Sequence, residues 1–377
     1  ELDGSAASSR VIDYIMAASR VDRAVPVNLV LRAAINAVDD SYSFGAEIVR
    51  DVFQDQDLFR WHFADENGEE LLVGARLQLE AELICNSRLS GPTEEAARLI
   101  ELISLAYRAG PEGHEETKFI LDVVQALGRD GPFGERYKDS YADIARALTR
   151  LRLHHGVYNA RMMLQEATLR RAYIHFHTLA ADEKTALLDE TSRAVNEAID
   201  AIARTDFQRL YASRRTKDHL WVERAATYGY IATDAAQRDA TAAEVWSSYQ
   251  AARDAGRTAA GRVASYHPLD IALWLPIGVL EHSTRLGNLE RLEIEADIRS
   301  TMDKIDPTAL SSDDVERYER QRLKLGKVID DQLLSDEAFR QLDRIGSTAG
   351  YYLRARQMAP VRPDSGEEAT SADVAGA

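Results

Sequence analysis

Over most of its length the chain repeats apolar residues every three or four positions, the spacing that puts one buried stripe on a helix. Helical patterns run from Val11 to Gln54 and break at Pro26 and around Asp39-Asp40-Ser41. A different texture follows, in which Leu58-Phe59-Arg60-Trp61-His62-Phe63 and Glu70-Leu71-Leu72-Val73 flank Asp65-Glu66-Asn67-Gly68. Asn-Gly between two such runs predicts a β-hairpin, because both turn residues tolerate positive φ. Helical spacing returns from Arg76 to Arg88, and Gly91-Pro92 ends that stretch.

Beyond Thr93 the pattern is helix after helix. Ala96, Leu99, Ile100, Ile103, Ala106 and Tyr107 form one stripe, and Phe119, Ile120, Val123, Val124 and Leu127 the next, with Gly110-Pro111 between them. Tyr141, Ile144, Ala145, Leu148 and Leu151 form a third. Gly156 is suited to end that helix in a left-handed conformation, which leaves Asn159 to cap its successor. From Ala160 to Phe176 two faces are apolar, which predicts a helix sandwiched between neighbours. Thr241 and Glu244 have capping-box spacing. Pro268, Pro276 and Gly287 punctuate the following pair. A helix is expected from about Ser311 to Leu333, then a short pair carrying Phe339, Leu342, Ile345, Tyr352 and Leu353. Candidate hairpins recur roughly every 40 to 55 residues, a range in which helical repeats bury a continuous core by stacking. The expected fold is mainly α: an αα-hairpin superhelix over 92–359, preceded over 1–91 by a small segment with one hairpin at 58–74. The tail, 360–377, has no apolar periodicity and is expected to be disordered.

Length is consistent with that plan, since 377 residues exceed what one ordinary core holds. The net charge of −16, from 62 acidic against 46 basic residues, opposes general attraction to nucleic acid or anionic lipid. One cysteine, Cys85, excludes an internal disulfide and a cysteine-rich zinc cage, and its apolar helical surroundings read as core packing. A reducing, cytoplasmic location is expected. No run approaches the ~18 to 20 apolar residues of a membrane span. The chain begins at Glu1 rather than Met, which suggests a piece of a larger polypeptide.

Paired helices with small residues at close-approach positions such as Ala145, Ala167 and Ala252 resemble tetratricopeptide-like repeats over about Thr93 to Met358. Trp246 and Tyr249 sit where the first helix of such a repeat carries aromatics, although the family's Leu-Gly pair is missing and the period is not constant. The front segment, with its hairpin and the strings Asp57-Leu58-Phe59-Arg60-Trp61 and Arg76-Leu77-Gln78-Leu79-Glu80-Ala81-Glu82, is similar to the winged-helix-like connector of STAND signalling NTPases. That resemblance implies the C-terminal sensor or scaffold region of a bacterial signalling or phage-defence protein, binding a protein, a peptide or its own upstream domain. An oligomerisation or autoinhibitory arm is the second reading, and an all-α enzyme the third.

Known catalytic patterns fail on inspection. Gly326-Lys327 is followed by Val328, so it is no phosphate-binding loop, and His114-Glu115 lacks the second histidine of a zincin helix because position 118 is Lys118. His175 and His177, two apart on a helix, diverge by about 200°. His154 and His155 suit a helix C-terminus. No cofactor or metal is expected. One charge feature opposes the acidic background: Arg136, Lys138, Arg146, Arg150, Arg152, Arg161, Arg170 and Arg171 fall close together. These read as a solvated face with pairs such as Glu166 with Arg170. The sharper expectation is an anion-docking surface formed by Arg146, Arg150, Arg161, Glu166, Arg170 and Arg171, since arginine forks match carboxylate and phosphate.

Overall fold

The computed structural model describes residues 6–37, 52–53, 57–64, 70–106, 112–206, 209–348 and 350–352, and the statements that follow concern these. The protein is mostly helical with one small antiparallel sheet. It divides into two compact units, residues 1–223 and 224–377, each taken by itself below.

The first unit is built on α1 (Ala6–Arg20), of which Val11, Ile12, Tyr14, Ile15, Met16, Ala17 and Ala18 are all buried. A helix apolar on so many sides must be surrounded. It packs against α2 (Val27–Ala37), α3 (Gln78–Arg88), α4 (Pro92–Leu105) and the sheet. In the sheet, β2 (Phe59–Phe63) pairs antiparallel with β3 (Leu71–Ala75), in a register running from Phe59 opposite Ala75 to Phe63 opposite Leu71. The expected hairpin strands are therefore present, while Asn67-Gly68 lies outside the described residues. A third strand, β1 (Val25–Pro26), pairs with the other edge of β3. Two residues are too short for a period-two pattern, and Pro26 is tolerated because β1 is an edge strand.

One apolar core runs from Val11 through Cys85, Leu99 and Ile144 to Ala172. Helices on both sides of residue 91 share it, so the boundary expected there does not separate two cores. Instead the compact units divide between Glu223 and Arg224. After α5 (Glu112–Leu127) and the short α6 (Gly134–Tyr137) come α7 (Tyr141–His155), α8 (Ala160–Phe176) and α9 (Ala181–Ala203). Gly156 ends α7 at φ 67°, and the Asn159 side chain accepts from the Arg161 and Met162 amides at 2.9 and 3.2 Å. As its two apolar faces require, α8 lies between α7 and α9. The division between units falls within α10 (Arg214–Gln237).

In the second unit, α12 (Tyr266–His282) packs against α11 (Ala242–Arg262), α13 (Asn288–Met302) and α14 (Ser312–Val328). The expectation that Pro276 separates helices is corrected: it sits inside α12. The buried Ile271, Leu273, Leu275, Ile277, Val279 and Leu280 hold that helix on several sides, which offsets the backbone hydrogen bond proline removes. The helix expected to reach Leu333 stops at Val328, because Asp330 is left-handed at φ 58° and the Asp331 side chain accepts from the Leu334 amide at 3.0 Å to start α15 (Gln332–Arg344). Residues 360–377 lie outside the described residues. No helix among those described is long and apolar enough to cross a membrane.

Candidate functional site

The arginine-rich stretch does not form one surface. Arg170 is 1% exposed and Glu166 is equally withdrawn. The Arg170 guanidinium donates to Glu166 at 2.9 Å, to Glu190 at 3.0 Å and to the Thr149 hydroxyl. Arg152, also buried, donates to Glu166 at 3.1 Å and to Glu197. The cluster joins α7, α8 and α9, and low local dielectric keeps each charge dependent on its partners. Arg171 forks onto Glu223 at 2.7 and 2.9 Å. Of the residues expected to dock an anion, only Arg146, Arg150 and Arg161 are exposed; Arg146 pairs with Asp143 and Arg161 donates to Gln125. The solvated-face reading therefore fits Arg146, Arg150 and Arg161 but not the Glu166 and Arg170 pair, because that pair lies between helices.

Arg136 donates to the buried Glu95 at 2.8 Å, and Lys138 pairs with Glu135. His154 and His155 are exposed at the end of α7. His177 is 2.9 Å from Asp139 and stacks on Tyr173, while burial, then Arg129 and Arg171, lowers the His175 pKa. Among the described residues no group of three or more His, Cys, Asp or Glu side chains is placed to hold a metal ion.

A second arrangement lies in the second unit. Helices α11, α12 and α13 enclose a cavity of about 360 Å³. Small-molecule sites begin at roughly 300 Å³. Its apolar wall is supplied by Ala252, Leu269, Ala272, Leu275 and Pro276. Pro276 has no N–H to donate to the Ala272 carbonyl four residues earlier, so that wall lacks one helical hydrogen bond. Its charged side carries Arg253, Arg257 and Lys304 against a single carboxylate, Asp297. The Tyr249 hydroxyl donates to Asp297 at 2.8 Å, Arg257 donates at 2.8 Å, and Arg253 donates at 3.3 Å while also reaching Glu293 at 2.7 Å. Burial, then the bond to Asp297, pushes the Tyr249 phenol above its ordinary pKa, so the hydroxyl stays a donor. Asp297 is thus tied from α13 to three side chains of α11.

Gly256 is buried on α11, yet a Cβ placed there would meet nothing within 4 Å. At Gly229 of α10 the same Cβ would meet Leu275 Cδ1 at 2.7 Å, so close packing accounts for that glycine. Gly256 has no such packing role, although glycine costs a helix about 1 kcal/mol relative to alanine; what it borders is the cavity. In the sequence this was legible as two parallel i,i+4 rows, Ala252-Gly256-Ala260 and Arg253-Arg257-Gly261. Apolar periodicity assigns the small residues to packing and carries no information on the cations beside them.

Fold and cavity together define a mainly α protein with a ligand-sized, cation-lined recess between consecutive helices. No family model, curated protein or solved structure matches the chain.

Proposed function

We propose that the chain is a binding module, the sensor or scaffold region of a larger signalling protein, built from tetratricopeptide-like helix pairs in the manner of the C-terminal part of a STAND NTPase. It reads a peptide or small molecule seated in the cavity of α11, α12 and α13. The observation that carries this reading is the cavity's lining: three cations, one carboxylate already engaged by three donors, and an apolar wall. General acid–base catalysis most often uses histidine, and the lining offers none, with one carboxylate that is already engaged. That favours recognition over turnover.

Ligand-detected NMR of the whole chain against a library of small acids, amines and neutral compounds tests the proposal. Compounds should bind to the wild type unchanged over hours and lose binding to Gly256→Leu, whose side chain would fill the recess. Conversion of a bound compound to product, or binding that survives the filling substitution, would overturn it.

A further inference from the structure

The rim charges of the cavity, its apolar wall and its open glycine position carry an inference about the ligand. We propose that the cavity takes a small amphipathic oxyanion, with a carboxylate or phosphate head beside Arg253, Arg257 and Lys304 and a short apolar body against Leu269 and Ala272. The proposal rests on the binding-module reading above and names the chemistry that module recognises.

Charge is the first argument. In a chain of net charge −16, this lining holds three cations to one carboxylate. Asp297 already accepts from Tyr249, Arg253 and Arg257, and the two guanidiniums offset its charge. Lys304 forms no ion pair among the described residues. Arg257 is 60% exposed at its side chain and turns only Nη2 toward Asp297, which leaves its other fork nitrogens for a ligand. A guanidinium fork and a neighbouring ammonium match an oxyanion with several acceptor sites.

Shape is the second argument. Leu269 and Ala272 of α12 are half-buried in the lining, whereas Arg257 and Lys304 are exposed, so the recess has a partly accessible apolar wall beside a cationic mouth. A wholly polar anion such as inorganic phosphate would leave the inner wall uncovered. An anion with a short apolar body buries that wall while its head keeps water and cations at the mouth. Gly256 keeps the space open: a Cβ there would meet no atom within 4 Å.

Isothermal titration of the full chain with four probes sharing one tail, octanoate, monooctyl phosphate, octanol and octyltrimethylammonium, distinguishes the possibilities. At least one of the two anions should bind at least tenfold more tightly than octanol, and preference between them identifies the head group. Lys304→Gln and Arg257→Gln should each weaken that anion severalfold, and Gly256→Leu should abolish its binding while thermal melts show each variant folded. Equal binding of octanol, or preference for the quaternary ammonium, would overturn the oxyanion assignment and leave the binding module standing. Binding of an anion undiminished in Gly256→Leu would place it elsewhere and overturn the proposal. Failure of all four probes up to millimolar concentration would overturn the proposal, and with no library compound bound either, the module reading falls with it.

Discussion

Arg170 donates to Glu166 one turn back on the same helix, at 2.9 Å, and both side chains are shut away from solvent. Thr149 and Arg152 of α7 and Glu190 of α9 complete their bonding, so the pair joins three consecutive helices.

Removing one member of such a pair strands the other charge. Arg170→Ala is expected to destabilise the protein by about 3 to 5 kcal/mol, and Arg170→Glu by more, whereas replacing the buried triad together, by Arg170→Met, Glu166→Leu and Arg152→Met, should come near neutrality. Urea denaturation followed by circular dichroism reads all three. Arg146→Ala, on the exposed face of α7, should stay within about 0.5 kcal/mol of the wild type.

Two helical glycines of the second unit, Gly256 and Gly229, should respond in opposite directions. Gly256→Ala removes an entropic penalty at a position with open space and should stabilise by roughly 0.5 to 1 kcal/mol. Gly229→Ala drives a methyl toward Leu275 and should destabilise by about 1 to 3 kcal/mol through overpacking. Denaturant midpoints at unchanged slope are the measurement.

Much of the helical architecture was readable because local chemistry and tertiary packing agree. Gly156 and Asn159 end one helix and begin the next as their types require, and Phe59–Phe63 with Leu71–Ala75 pair as their texture predicted. Where packing overrides local preference the reading failed, as at Pro276, which α12 absorbs because apolar neighbours bury that helix. The candidate site was harder to read. Arginines that look alike along the sequence divide between interior and surface, since a helix side chain's exposure depends on whether a neighbouring helix covers its face. Arg170 is covered, whereas Arg146 and Arg150 are not. The cavity arises from three helices whose spacing no single stripe encodes.

Cys85 is buried, and its thiol is pushed up to about 12, first by burial and then by Glu95. Only the thiolate reacts, so iodoacetamide at pH 8 should label the native protein more than ~tenfold more slowly than the urea-unfolded chain. Mass spectrometry over time reads both rates, and equal rates would show that Cys85 is reached by solvent.

Alkaline pH should unfold the protein through its tyrosines. Burial is the first cause raising Tyr14, Tyr137, Tyr249 and Tyr266, and it pushes Tyr141 up to about 12. A phenol whose folded pKa lies above its unfolded value of about 10 adds stability that is fully present below pH 10 and is lost as pH rises toward the folded value. Absorbance at 295 nm should therefore show the buried tyrosines ionising only as helical dichroism is lost. Ionisation of all tyrosines with the helices intact would contradict the burial of these rings.

Hydrogen exchange with mass spectrometry, with and without saturating octanoate or monooctyl phosphate, bears most directly on the central claim that this chain recognises its ligand in the cavity of the second unit. The predicted result is slowed exchange in peptides covering 249–261, 269–276 and 297–304, with no change over the arginine-rich stretch 141–176. Protection confined to 141–176, or no protection anywhere under conditions where the anion is shown to bind, would contradict it.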